Sequence, residues 1–566
     1  MTLSRRLIAR SLLGILSLKD IEKITMVNTG SKCTTFRINS QQLYTPEQVR
    51  EHESSAAEQA GISQWQLLER AGQAVFKCLK QRFPIPNTVA VLCGGGNNGG
   101  DGYVVATLAQ KAGYQVRVFA SEDMSQQSLE AALALNLWLE TGYEVGSFAD
   151  WAEASADVVI DALLGTGLNK PVRDDLANVI NDLNQRKLPV IAVDIPSGLH
   201  GDTGQVQGYA VKAAHTVSFV GMKRGLYTGA ARDYCGQLWF ADLGVLKELR
   251  AHTEPAAWRL DAHQLSQWLP ARLEQSHKGH FGHLLIIGGQ RGMAGALRMA
   301  GEAALRSGAG KVTLVCEPGQ EAFMAGIPEL MVLGLDVSKA DDAAYLEQLM
   351  QQVTHIAIGP GLGQRAWGQK LWLKALAANK PMVVDADALN LLAQTPLKRD
   401  NWVLTPHPGE AARLLATDTE TIEVNRWQSV QALQEKYGGC VVLKGSGSLI
   451  QSSDKVAVCA AGTPALATAG SGDVLTGIVG GLMAQSKSLG LSPWETTCAA
   501  VLVHSLAGES AASHIRTASS IGAASNLSGS VTRGLRATDL MAQIVQWVNP
   551  DEFDKKPGSR RAVTAR

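Results

Sequence analysis

The sequence predicts an α/β protein built from two parallel-sheet domains. Three observations predict it. Short apolar runs alternate with longer helical patterns along nearly the whole chain. Glycine-rich turns follow many of those runs. The length, 566 residues, exceeds what one ordinary core organises. Glycine is abundant at 57 residues, as expected where strand-to-helix turns pass close to ligands.

The elements follow in order. Residues 44–82 read as helical, with Thr45 as N-cap and Pro46 at the first helical position. Strands are predicted at 89–93, 116–119, 158–163, 190–193, 216–220 and 238–240. Residues 103–112 read as the helix after the first of these. The second half opens on a helix at 261–269. Its strands are predicted at 284–287, 312–315, 355–358, 382–384, 402–404, 440–443 and 456–459. Strand patterns stop between Leu243 and Leu260, so the boundary is expected there. The expected layout is an N-terminal extension at 1–43, domains at 44–250 and 261–548, and a polar tail at 549–566. Residues 517–531, rich in Ser, Ala and Gly, read as a flexible loop.

Lysine plus arginine equal aspartate plus glutamate at 52 each, so no bulk charge draws the chain to nucleic acid or an anionic membrane. Neither is expected as a partner. The eight cysteines are scattered, without CxxC or zinc spacing, and read as reduced core residues of a cytoplasmic protein. Arg5, Arg6 and Arg10 precede a short apolar run. That start is either a targeting or interfacial segment or an over-long beginning with Met26 as initiator.

In the first half the earliest strand runs into Gly94-Gly95-Gly96-Asn97-Asn98-Gly99-Gly100-Asp101-Gly102. Glycines let backbone N–H groups approach a phosphate, and a tight turn alone needs neither two amides nor an acid. Asp161 and Asp194 each end a strand, where an acid is either a helix N-cap or a site residue. Three such loops in one domain favour a site.

This half resembles the YjeF N-terminal domain, the NAD(P)H-hydrate epimerase, through GNNGGDG, DALLGTGL, VDIPSGL and Lys223-Arg224-Gly225-Leu226. The resemblance implies a Rossmann-like αβα sandwich that interconverts the R and S epimers of hydrated NADH or NADPH (NADHX, NADPHX). It implies substrate binding by Asn97, Asn98, Gly99, Gly100, Asp101, Gly165, Thr166, Gly167, Leu168, Asn169, Lys170 and Pro171. It implies a potassium ion on Asn98, Asp161 and Ser197, and substrate contact with acid/base catalysis by Asp194.

In the second half, five strands end in Gly, His, Asp or Lys loops on one expected rim. Lys444 before glycines suits a phosphate, against the alternative of a solvated lysine. His407 lies between two prolines, so it cannot sit inside a regular helix; it is either a loop histidine or a ligand contact. Asp473 follows Gly470-Ser471-Gly472 at an expected helix N-terminus, as N-cap or as base.

The strings GPGLG, DADALN, TPHPGE, KGSGS and AGSGDVLTG resemble the YjeF C-terminal domain, the ADP-dependent NAD(P)H-hydrate dehydratase of the ribokinase-like superfamily. The resemblance implies a ribokinase-like α/β domain, with ADP as co-substrate and Mg2+. It implies nucleotide binding by Lys444, Gly445, Ser446, Gly447, Ser448 and Gly472. Ala294, Gly361, His407 and Asp473 would contact the hydrated dinucleotide, with Asp473 as base. The family's GNPGMATGGMGD is here Gly462-Thr463-Pro464-Ala465-Leu466-Ala467-Thr468-Ala469-Gly470-Ser471-Gly472-Asp473, so the nucleotide loop departs from the pattern.

The expected protein is thus a bifunctional repair enzyme for nicotinamide cofactors, and a homo-oligomer. The competing expectation is a ribokinase-like small-molecule kinase with a non-catalytic N-terminal sensor or scaffold. TPHPGE together with an intact GNNGGDG domain weighs against it. A classical dehydrogenase ranks third, because no hydride-transfer site is identifiable.

Overall fold

The structure, a computed structural model, describes residues 41–85, 87–121, 127–172, 174–519 and 531–550. Expectations for 1–40, 520–530 and 551–566 lie outside these residues. The chain divides into two compact units, Met1–Ala256 and Ala257–Arg566.

In the first unit a seven-stranded sheet is parallel throughout among the described residues. Across the sheet run Val145–Gly146, Gln115–Ala120, Thr88–Cys93, Val158–Ala162, Val190–Val193, His215–Phe219 and Gln237–Ala241. The strands are almost wholly apolar because both faces are covered. From Thr88–Cys93 the chain winds one way, then returns to Val158–Ala162 on the other side. The direction of winding reverses between these neighbours, and ligands bind at such a switch point.

Two differences from the sequence reading concern helices. The stretch 44–82 is two helices, Pro46–Gln59 and Gln64–Arg82, and Tyr44 ends a short strand, Gln42–Tyr44. Gly61 at φ +69° and a capping box at Ser63 break the run. Thr45 caps its helix as expected, reciprocally with Gln48. The helix expected at 103–112 spans Asn97–Lys111, so the asparagines, glycines and Asp101 form its first turns rather than a preceding loop.

The second unit is a second α/β layer structure. Met331–Gly334, Lys311–Cys316, His283–Ile287, His355–Ile358, Met382–Val384, Trp402–Leu404 and Cys440–Leu443 are parallel. Ser448–Gln451 then runs antiparallel to both Cys440–Leu443 and Val456–Cys459, and Ala257–Arg259 lies parallel to the latter. The sequence reading missed Ser448–Gln451, because four residues after a Gly-Ser run look like loop. The helix expected at 261–269 is shorter, His263–Trp268. Residues 517–519 continue the helix Pro493–Ser519 instead of opening a loop.

Helices Ala294–Arg306 and Ser471–Leu489 pack closely because of small residues. A Cβ on Gly477 would collide with the Ala300 carbonyl, and one on Gly481 with the Ser307 hydroxyl. Among the described residues no helix is long and apolar enough to cross a membrane.

Candidate active sites

In the first unit a cavity of about 690 Å³ opens at the switch point. Its walls include residues 94–98, Asp101, residues 163–168, Lys170, Pro171 and Asp194, with Glu53 and Lys223 from other elements. Asp194 follows the strand Val190–Val193 with φ +64°, a left-handed conformation that few non-glycine residues adopt. Its Oδ1 accepts from Ser218 Oγ at 3.0 Å, Phe219 N at 3.2 Å and Lys223 Nζ at 2.5 Å. The Lys223 side chain is 2% exposed and also donates to the Phe219 carbonyl at 3.0 Å. Burial, then the charge of Asp194, pushes the Asp101 carboxyl well above the usual carboxylate range, against the pull of Lys223. Burial lifts Glu53 in the same direction, again opposed by Lys223.

Asp161 lies behind this wall, fully buried at the end of its strand. It accepts from Ser197 Oγ at 2.5 Å, Ser197 N at 2.8 Å and Leu163 N at 3.3 Å. Ser197 Oγ in turn accepts from Leu164 N at 2.8 Å. Asp161 is therefore no helix N-cap; it stitches together loops from adjacent strands. Burial pushes its carboxyl up to about 6, despite the opposing hydrogen bonds.

In the second unit the expected rim converges on Lys444. Its Nζ lies 2.9 Å from Asp385 Oδ1 and 3.8 Å from Glu410 Oε2. Asp385 Oδ2 accepts from Thr476 Oγ1 at 2.6 Å. Thr476 is one turn along the helix Ser471–Leu489 from Asp473. Burial, then the charge of Asp385, pushes the Asp473 carboxyl up to about 7; Lys444 opposes them, and Asp387 and Glu410 add to the rise. Burial works against the charge of Lys444, but Asp385 and Glu410 outweigh it and hold the ammonium above its ordinary value.

His407 is the N-cap of the helix Pro408–Leu415. Its Nδ1 accepts from Gly409 N at 3.0 Å, and its backbone N–H donates to Glu410 Oε2 at 2.8 Å. The ring faces solvent by half, and burial with Lys444 lowers its pKa, which favours neutral imidazole. Gly472 lies beside the ion pair: a Cβ there would stand 3.5 Å from Lys444 Nζ. Gly361, at φ +60°, abuts Met293, and Ala294 begins the next helix, so these two come together.

Residues 284–527 match the family described as NAD(P)H-hydrate dehydratase, and residues 64–225 match YjeF-related protein N-terminus. The chain is 43% identical to the bifunctional NAD(P)H-hydrate repair enzyme Nnr of Escherichia coli, over 90% of this chain and 94% of that protein. It is 42% identical to the Nnr of Coxiella burnetii, over 90% and 99%. The chain belongs to the bifunctional NAD(P)H-hydrate repair enzyme family. Among solved structures, the ADP/ATP-dependent NAD(P)H-hydrate dehydratase of Bacillus subtilis, co-crystallised with ATP and Mg2+, matches at 25% identity and TM-score 0.42, covering 52% of this chain and 98% of that one.

For this member of the repair family, most residues expected at the epimerase site do gather. Asn97, Asn98, Asp101, Gly165, Thr166, Gly167, Leu168, Lys170, Pro171 and Asp194 line one cavity. Gly99, Gly100 and Asn169 do not line it. Gly99 packs on the Gly94 carbonyl of the turn before its helix, and Gly100 on Leu68 and Ala131 of neighbouring helices, so close packing explains these two glycines. Ser448 begins the antiparallel strand, and its hydroxyl donates to the Gly445 carbonyl at 3.2 Å. Sequence reasoning missed Glu53, Asp385, Glu410 and Thr476, and gave Lys223 no role. Glu53 and Thr476 lie within helical patterns and carry no local mark. Asp385 and Glu410 stood inside noted strings, DADALN and TPHPGE, but only the fold aims them at Lys444.

Proposed function

We propose that the two sites repair hydrated nicotinamide cofactors in sequence: the first unit interconverts the R and S hydrates, and the second dehydrates the S form at the expense of ADP. The observation that carries the reading is that each unit sets an acidic pair beside a buried lysine at its rim: Asp194 and Asp101 by Lys223, Asp473 and Asp385 by Lys444.

In the first unit the C6 hydroxyl of the hydrate sits on a carbon bonded to nitrogen, so it leaves as water once protonated and is replaced from the other face. Asp194, fixed by three donors, is the proposed acid/base at that carbon. Thr166, Gly167 and Lys170 supply donors around the dinucleotide, while Asn97 heads a helix whose free N–H groups suit a phosphate. Potassium fits Asn98, Asp161 and Ser197 by their chemistry. Asp161 is a buried carboxylate, and the buried Asn98 amide has an Nδ2 without a partner among the described residues, so the opposite amide orientation would turn its oxygen there. The ion would supply fixed positive charge behind the substrate loop.

In the second unit Asp473 takes the proton of the C6 hydroxyl, whose oxygen attacks the β-phosphorus of ADP and releases AMP. The C6–O bond then breaks with loss of the C5 proton, giving NADH or NADPH and phosphate. Lys444 and the 445–448 turn face the nucleotide; Ala294, Gly361 and His407 flank the dinucleotide. Magnesium fits by charge: among the described residues that act on Asp473, the acids Asp385, Asp387 and Glu410 outnumber the ammonium of Lys444. It would offset phosphate charge, and no side chain is assigned to it. The cytoplasm suits the seven described cysteines, all buried free thiols. We also infer a homo-oligomer, to be checked by light scattering.

The test is a mixed R/S hydrate preparation with ADP, Mg2+ and K+, following reduced-nicotinamide absorbance and chromatographing epimers and AMP. Complete conversion with matching AMP is expected. A stable phosphorylated product without reduced cofactor would replace this reading with a kinase.

A further inference from the structure

Asp385 follows the strand Met382–Val384 and is 2% exposed. It makes no side-chain cap to the helix it precedes, although position alone suggests one. Its two oxygens point elsewhere: Oδ1 to Lys444 Nζ at 2.9 Å, Oδ2 to Thr476 Oγ1 at 2.6 Å. Lys444 follows the strand Cys440–Leu443, and Thr476 lies on the helix that carries Asp473. One buried carboxylate thus joins the nucleotide loop, the strand edge and the catalytic helix.

We propose that Asp385 is a positioning residue of the dehydratase site: it fastens Lys444 and the Asp473-bearing helix to one point, and its buried negative charge faces Asp473 across that joint. The proposal rests on the reading of Asp473 as the base. A base needs a proton affinity near working pH, and an ordinary aspartate is far too weak. The charged groups that act on Asp473 from the surrounding elements are Asp385, Asp387, Glu410 and Lys444. Asp385 acts twice. Its own charge repels that of Asp473, and by pairing with Lys444 it partly neutralises the ammonium that would otherwise draw the Asp473 proton off.

The test is the titration of the Asp473 carboxyl carbon in full-length protein labelled at aspartate, identified by the resonance missing from Asp473→Asn. Asp385→Asn keeps the shape, leaves one oxygen to accept from Lys444, turns an amide N–H that can donate toward Thr476 Oγ1, and removes the charge. The Asp473 midpoint is expected to fall by about one pH unit, a tenfold loss of proton affinity. Thr476→Val removes only the tether and should leave the midpoint in place. If the amide is not tolerated, Asp385→Ser is the second neutral variant. An unmoved midpoint in a folded neutral variant would overturn the proposal. So would collapse of both neutral variants beside a native Thr476→Val, since Asp385 would then serve folding alone. The readout needs no turnover, so failure of the dehydratase reading is separate: wild-type protein would form no reduced cofactor whatever the midpoint.

Discussion

Asp194 holds φ at +64° while three donors converge on a single oxygen, so backbone and side chain are both fixed before substrate arrives. Asp194→Asn should keep the fold and lower R/S interconversion about 10²- to 10⁴-fold, with dehydration of the S form unchanged; chromatography of the epimers without ADP checks it. Asp473→Asn should do the reverse. Because a base must be deprotonated, kcat/KM for dehydration should rise with pH through about 7 in the wild type. A flat profile across that range would remove Asp473 as the base.

At the scale of elements, the turn after Thr88–Cys93 depends on Gly94. A Cβ there would collide with the Leu163 carbonyl, a backbone group that no rotamer change can move aside. Gly94→Ala should therefore separate the two loops of the switch point and cost several-fold or more in epimerase KM, measured by initial rates. The helix Ser471–Leu489, which carries Asp473, has its own anchor. His504, buried on the helix Pro493–Ser519, shares Nε2 with the Ser471 carbonyl at 3.0 Å and the Ser471 hydroxyl at 3.2 Å. Burial pushes its pKa down to about 4. The folded state therefore disfavours the imidazolium: the stability from neutral His504 is full above the unfolded value near 6.5 and is lost as pH falls toward 4. Its size is about 3 kcal/mol. Urea midpoints at pH about 7 and about 4.5 should differ less in His504→Asn than in wild type.

For the whole molecule, each of the two units carries its own acidic site. If they work on a shared, freely diffusing pool, full-length Asp194→Asn and Asp473→Asn proteins mixed together should convert all the R hydrate. Neither alone should, beyond spontaneous epimerisation. Incomplete conversion in the mixture would mean that the two sites must share one chain.

By itself the sequence determined the strand rhythm, the division into two α/β halves and the loops that carry chemistry. Apolar runs and glycines are local marks, set by backbone conformation and burial within a few residues. Glycine strings alone did not separate ligand contact from packing: Gly99 packs on the turn at Gly94 and Gly100 on neighbouring helices, whereas Asn97, Asn98 and Asp101 reach the cavity. Nor did they show that the Gly-Asn string is the first turn of a helix. Only the tertiary structure decided the partners of the acids. Lys223 meets Asp194 across 29 positions, Lys444 meets Asp385 across 59, and Thr476 meets Asp385 across 91. The proton affinities of Asp101 and Asp473 follow from burial and from charges brought close by the fold, which is why local spacing carries no trace of them.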